Sequence, residues 1–580
     1  MRSSLLLCSL ALTSVLASSS FGLLGCRERT LNATIEARVH HQIIDGFGTM
    51  APHELGGDAK VAALLYEALG ASILRVDLTP AFPTPAADFA YNSPWFHRDP
   101  SLPGPDGNNV RTYRDVADYS RPWAGRAASI VVMGPDIEAN VARLDLDAAN
   151  ARSFGALARI GAREVTGFKL IGAVWSPAPW LKRAHGTHIG AGGGNLPREN
   201  TPFPFVWGGN FAGGTLDTSD APHAAFDDRA LGGSGPTSAL TQYTRTLAAW
   251  LLGFQRKHDV RFYAISLQNE LNFETFYNSC AYPRAEAYVK LVKAARAALD
   301  AHPELRDIRL MGPEDLLGSD AYALWRYGEG ADRVDKNLGY LAALAADPPA
   351  LAALDLFAIH GYAPDGVQSA GADPRGWRWW ARGWNTAPAA SLPAQVHGFR
   401  AYGKRSWMTE TSGEPSVWRG AGENVDASAL GLALKIHQAL TTGEQSAWLY
   451  WQLLESQPVG PHTLTDLTQG ATAPKLAAAA HYFRHVRPGA RRIGVRVDDP
   501  RRVHASAYRD PHDGAIILVL VHTGDAERTL ALHGLDAASM QVWTSDAKRA
   551  HVAAPPQPLT APPTVSLPAE SVVTVVARPR

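Results

Sequence analysis

The chain has 580 residues, 46% of them apolar and 19% charged, which describes a globular protein and excludes a disordered one. Lys+Arg and Asp+Glu both total 55, so no global field draws nucleic acid or an anionic membrane surface. That length accommodates about three to four average domains, or one large barrel with an accessory domain.

Residues 1–26 read as an export signal: Arg2 is the positive start, Leu5–Leu12 the short apolar core, and small residues follow. The stretch is too short, and too broken by serine, to span a membrane. It ends in Leu23-Leu24-Gly25-Cys26, which resembles the lipobox of bacterial lipoproteins, where the cysteine is lipidated and becomes the first residue. An ordinary secretory signal cleaved nearby is the alternative. The chain is therefore expected to be exported, membrane-anchored only through Cys26, or otherwise periplasmic or secreted. Cys8 would leave with the signal and Cys280 would have no disulfide partner, so the size of the core must supply stability.

From 44 to 488 an apolar strand, a loop and an amphipathic helix alternate repeatedly. The predicted strands are Ile43–Gly48, Ser72–Leu78, Phe168–Val174, Phe262–Leu267, Ile308–Gly312, Leu354–Ile359, Arg405–Thr409 and Ala447–Trp451. Helical spacing of apolar residues marks Ala59–Leu69, Ala148–Ile160, Leu240–Lys257, Arg284–Ala301 and Ala427–Thr441. Eight such units predict an α/β fold, a (β/α)8 TIM barrel. A doubly wound open sheet competes, but Gly46-Phe47-Gly48 runs into Thr49-Met50-Ala51-Pro52 rather than a helix.

Long insertions follow strands two, three and six, on what would be the catalytic face of a barrel. They carry Tyr91, Trp95, Phe96, Trp123, Trp180, Phe203, Phe205, Trp207, Trp377, Trp379, Trp380 and Trp384. Such rings can stack on sugars or glue loops to the rim. The four tryptophans after strand six are candidates for a sugar platform, with loop packing as the alternative. His185 and His188 read as solvated loop histidines, and Gly190–Asn195 as a flexible loop.

Beyond Gly489 the strands become short and β-branched: Val503–Arg509, Ala515–Val521, Thr529–Leu532, Met540–Thr544 and Ser571–Val576. Residues 489–580 thus read as a C-terminal antiparallel β-sandwich domain, to which 34–43 adds a strand.

Two glutamates close apolar runs, Gln268-Asn269-Glu270 on strand four and Met408-Thr409-Glu410 on strand seven. A carboxylate at a barrel strand's C-terminal end is costly to bury and usually sits there for chemistry. A pair flanking one cleft suits glycosidic bond cleavage. Arg75, near the end of strand two, can pair with Glu410, and Asn269 can hydrogen-bond a sugar 2-hydroxyl. Glu414 and Glu455 compete with Glu410 but do not terminate their strands. Glu274, Glu314 and Asp315 read as loop polar residues.

Gly46-Phe47-Gly48, Trp175-Ser176-Pro177-Ala178-Pro179-Trp180, Gln268-Asn269-Glu270, His360-Gly361-Tyr362, Met408-Thr409-Glu410 and Tyr450-Trp451-Gln452 occur in the order seen in glycoside hydrolase family 30. The resemblance covers about residues 34 to 580. It implies a retaining β-glycosidase with Glu270 as acid/base and Glu410 as nucleophile, and a carbohydrate substrate met by Asn269, Arg75, Trp175, His360, Tyr362 and Trp451. No metal or organic cofactor, no nucleic-acid partner and a monomeric state are expected. Leu271 and Thr49 depart from the commoner pattern, leaving xylan, β-1,6-glucan and β-1,6-galactan open as substrates. A glycan-binding lipoprotein without activity is the alternative from another class.

Overall fold

The computed structural model describes residues 30–52, 55–78, 80, 131–178, 181–183, 215–272, 280–316, 339–362, 374–387, 390, 394–420, 427–455, 458–559 and 562–579. Cys26, Tyr91, Trp95, Phe96, Trp123, Trp180, His185, His188, Gly190–Asn195, Phe203, Phe205, Trp207 and Glu274 lie outside the described residues.

Eight parallel strands close a barrel: β1 (Gly46–Met50), β2 (Ile73–Asp77), β3 (Lys169–Ala173), β4 (Phe262–Ser266), β5 (Arg309–Leu316), β6 (Leu356–Gly361), β7 (Ser406–Thr411) and β8 (Ala447–Tyr450). Closure through the β8–β1 pairing leaves no open edge, so the doubly wound sheet is excluded. Gly46 and Gly48 start the barrel for a steric reason: a Cβ on Gly48 would lie 2.2 Å from the Ile73 carbonyl oxygen. Only glycine lets β1 approach β2 this closely.

Inside the barrel, Ile73, Ile171, Ala264, Met311, Leu356, Ala358, Trp407, Ala447 and Leu449 form one apolar cluster. At its lower end Trp407 stacks on Tyr263 at 5.8 Å and donates its indole N–H to Asp45 at 3.0 Å. The cluster is a plug, so any chemistry must lie above it, at the strands' C-terminal ends.

Helices cover the outside. Ala239–His258 starts at Ser238, whose hydroxyl accepts from the Thr241 N–H, and Ala429–Thr441 starts likewise at Ser428 with Gly431. The segment after β6 differs from expectation. Pro374–Arg382 is a helix on the barrel's flank, and Trp377, Trp380 and Trp384 are buried. Trp380 packs on Phe399 at 5.2 Å, Trp379 meets Trp384 edge-on at 5.5 Å, and Arg382 pairs with Glu444, just before β8 begins. Trp377, Trp380 and Trp384, buried at the strand-entry end, cannot serve a sugar on the exit side, so for these three the platform reading gives way to packing; Trp379 is half-buried.

The remaining strands form one ten-stranded sheet that includes Leu31–Ile43, Arg491–Val497, Val503–Arg509, Ile516–His522, Arg528–His533, Ser539–Asp546 and Ser571–Arg578. It is mixed, not wholly antiparallel: Leu31–Ile43 runs antiparallel to Arg491–Val497 but parallel to Arg528–His533. Ile35, Leu518, Leu532, Val565 and Val573, from strands far apart in the sheet, share one core, so the sheet curls over itself. Its other face joins the barrel's core through Ile517, Val519, Val521, Val572 and Val576. His481, in helix Pro474–Phe483, bonds Thr574 and Ser545 at 2.8 Å each, tying the two parts together. Cys280 is buried and forms no disulfide. Among the described residues no helix is long and apolar enough to cross a membrane.

Candidate active site

Strand alternation sets which side chains crown the plug. Ile73 points inward, so Arg75 two residues on does too, and Ala358 places His360 likewise. By the same rule the inward Trp407 would send Glu410 outward. A register shift between Met408 and Glu410 reverses it, setting Glu410 opposite His360. A β-bulge of this kind re-aims a side chain next to a site.

Arg75, fully buried, is the hub. Its Nη1 donates to Glu410 Oε2 at 2.6 Å and its Nη2 to Asn269 Oδ1 at 2.8 Å. The guanidinium lies 4.7 Å from the ring centre of Trp175, which tilts against Trp451 at 6.0 Å. The Tyr362 hydroxyl donates to the other Glu410 oxygen, Oε1, at 2.5 Å.

Glu270 sits just past β4 with φ 45°, the left-handed region that a side chain enters only at some cost. Neighbouring backbone holds it there: Asn269 N–H donates to Val174 O at 2.7 Å and Glu270 N–H to Glu314 O at 3.1 Å. His360 Nδ1 lies 3.0 Å from Glu270 Oε1. Carboxylate atoms of Glu270 and Glu410 and an imidazole nitrogen of His360 all fall within 4.8 Å of one another. Burial raises the Glu270 carboxyl above its usual range, the Glu410 charge adds to this, and the His360 contact opposes it.

All eight residues assigned to the site by sequence (Arg75, Trp175, Asn269, Glu270, His360, Tyr362, Glu410 and Trp451) therefore stand on neighbouring strand ends. One was missed. Glu314 is not a loop residue: it lies on β5, fully buried, with Oε1 3.2 Å from Arg75 Nη2 and 3.3 Å from His360 Nε2. Asp315 belongs to the same strand. A register shift between Pro313 and Asp315, with Glu314 at φ 61°, turns its side chain inward against the alternation set by Met311. Burial works to raise its pKa, yet Arg75 and His360 together hold it at about 2. Burial likewise opposes a charge on His360, but Glu410, Glu270 and Glu314 outweigh it and lift the imidazole to about 10. Glu414 is instead paired with Lys435, and Glu455 accepts from Gln452 at 2.9 Å.

No protein-family model matches the chain. A curated relative, the glucuronoxylanase XynC of Bacillus subtilis (strain 168), is 23% identical over 290 residues, 50% of this chain and 55% of that protein. The chain thus spans about half the length of the curated relatives it matches. Among solved structures, the catalytic domain of the GH30 xylanase C from Talaromyces cellulolyticus aligns with TM-score 0.58 and 17% identity, over 94% of this chain and 99% of that one. The endo-β-1,6-glucanase BT3312 aligns with TM-score 0.57 and 15% identity, over 94% of each chain. The fold, a parallel barrel with a second sheet packed on its flank, is shared with solved structures of glycoside hydrolase family 30 xylanases.

Proposed function

We propose that the chain is a retaining β-glycoside hydrolase acting on a β-linked glycan of the xylan, β-1,6-glucan or β-1,6-galactan type. Residues 44–488 would form its catalytic unit, and 489–580 with 34–43 its sheet unit. The observation that carries the reading is the pair of buried carboxylates, one just past β4 and one on β7, with oxygens within 4.8 Å. Retaining glycosidases hold the two about 5–5.5 Å apart, whereas inverting ones need roughly 6.5–9.5 Å to admit a water.

The two environments suit two roles. Glu410 receives donors from Arg75 and Tyr362, which aim it and match the charge of a nucleophile. Glu270, raised by burial, is suited to remain protonated until a leaving group needs the proton. In the first step Glu410 attacks the anomeric carbon while Glu270 protonates the departing oxygen. In the second, Glu270 takes a proton from water, whose oxygen attacks the anomeric carbon and releases the sugar from Glu410. Asn269, held by Arg75, meets a 2-hydroxyl in this reading. The similar proteins named as xylanases and as a β-1,6-glucanase support the substrate class.

The test is Glu410→Ala, assayed on aryl β-glycosides of xylose, glucose, galactose and fucose. Turnover should be lost, and azide should restore part of it, giving an azide product of inverted configuration. Wild-type-like turnover by the variant removes Glu410 from the role. A wild type that binds oligosaccharides without cleaving any favours the glycan-binding reading instead.

A further inference from the structure

The glycosidase reading has no stated task for the third buried carboxylate. Glu314 lies against His360 on the side opposite Glu270, and both imidazole nitrogens face carboxylate oxygens, Nδ1 at 3.0 Å and Nε2 at 3.3 Å. A neutral imidazole carries one N–H and can serve only one of them; the imidazolium donates to both. The groups around the ring are Arg75 from β2 at 3.4 Å, Glu270 after β4, Glu314 from β5, and Glu410 from β7 at 3.8 Å. Three carboxylates thus face the ring against one guanidinium. With Arg75 and His360 cationic, and Glu314 and Glu410 anionic, the cluster is neutral when Glu270 holds its proton.

We propose that Glu314 is a positioning residue that, by keeping His360 doubly protonated, makes Nδ1 a permanent donor to Oε1 of Glu270 and so places the catalytic proton on Oε2. The inference rests on Glu270 being the acid/base. The Oε2 proton moves to the glycosidic oxygen as that C–O bond breaks and the bond to Glu410 forms. Water returns a proton to Oε2 as its oxygen bonds to the anomeric carbon and the Glu410 bond breaks. His360 keeps both of its protons throughout, so the cycle closes without a further donor. Were His360 neutral with its N–H on Nε2, Nδ1 would accept instead. The Glu270 proton would then sit on Oε1 and point at the ring rather than the leaving group. The backbone reinforces the arrangement, because the Glu314 carbonyl accepts from the Glu270 N–H at 3.1 Å.

Two measurements on the full chain decide it. In ¹⁵N-histidine NMR, with the His360 signal identified by its loss in His360→Gln, the wild type should show both ring nitrogens protonated at pH 8. Glu314→Gln should show one of them unprotonated at that pH, and Glu314→Asp should keep both. In kinetics, Glu314→Gln should lose at least about tenfold more kcat on aryl glycosides with poor leaving groups than on dinitrophenyl glycosides, with Glu314→Asp recovering part of the difference. A neutral His360 in the wild type at pH 8 overturns the proposal, whether or not the variants fold. So does an equal loss on both kinds of substrate. If the wild type cleaves no aryl glycoside, the glycosidase reading fails, while the NMR titration still decides the charge on His360.

Discussion

Replacing Arg75 by methionine, of similar length and without charge, should damage both stability and turnover, and the stability loss should depend on pH in a direction set by Glu314. Arg75 is wholly buried and is the cation nearest to Glu314 and Glu410. Removing one partner of a buried ion pair costs about 3–5 kcal/mol, because the other charge is left without compensation. Glu314 supplies an independent gauge. Its folded value of about 2, against 4.5 ordinarily, corresponds to about 3 kcal/mol at neutral pH. Glu314 is fully buried, so solvent screening takes little from that figure. A depressed carboxyl stabilises the fold above its unfolded pKa and loses that contribution as pH falls through the folded one. The contribution is therefore complete at pH 7 and shrinks between about 4.5 and 2. Urea unfolding of wild type and Arg75→Met at pH 7 and pH 3 should show a gap of about 3 kcal/mol or more at pH 7, at least halved at pH 3. A gap equal at both pH values, or below about 1 kcal/mol at pH 7, would refute the assignment of Arg75 as the counter-charge.

Two further outcomes follow from the geometry. Glu270→Ala should slow glycosides with poor leaving groups far more than dinitrophenyl glycosides and should remove the basic limb of the pH–rate profile, since only poor leaving groups need the proton; equal losses with an unchanged profile would move the acid/base elsewhere. Trp380→Ala should lower stability by about 3–5 kcal/mol, as expected for a buried indole, yet leave the ratio of activities on one-sugar and oligomeric substrates unchanged. A selective loss on oligomers, measured at a temperature where the variant is folded, would return Trp380 to the sugar.

Much of this architecture was legible locally. The eight β-rich runs match the eight barrel strands to within a few residues, because a strand buried on both faces must be apolar along its whole length. The glutamates stood out for the complementary reason: a charge ending such a run opposes burial. The sheet domain showed through its short β-branched runs, but Arg491–Val497, rich in arginine, did not read as a strand. Its pairing with Leu31–Ile43 depends on a partner more than 400 positions away. The tryptophans after β6 carried a signal that was available: Trp377, Trp380 and Ala381 fall at i, i+3 and i+4 after Pro374, the mark of a helix burying one face.

Glu314 separates the two levels most clearly. Sequence determined that a carboxylate follows the apolar start of β5 and that Gly312-Pro313 interrupts the run. Strict alternation from Met311 would then turn residue 314 away from the barrel's interior, so nothing local marked it. The bulges at Glu314 and between Met408 and Glu410 exist only against β6, whose pairing leaves one residue over on each neighbour. Sequence alone thus determined the barrel and the two glutamates at its strand ends, because burial leaves a periodic trace along the chain. Tertiary structure decided which carboxylates face Arg75 and His360, because one unpaired residue reverses a strand's faces and only the neighbouring strand says where it falls.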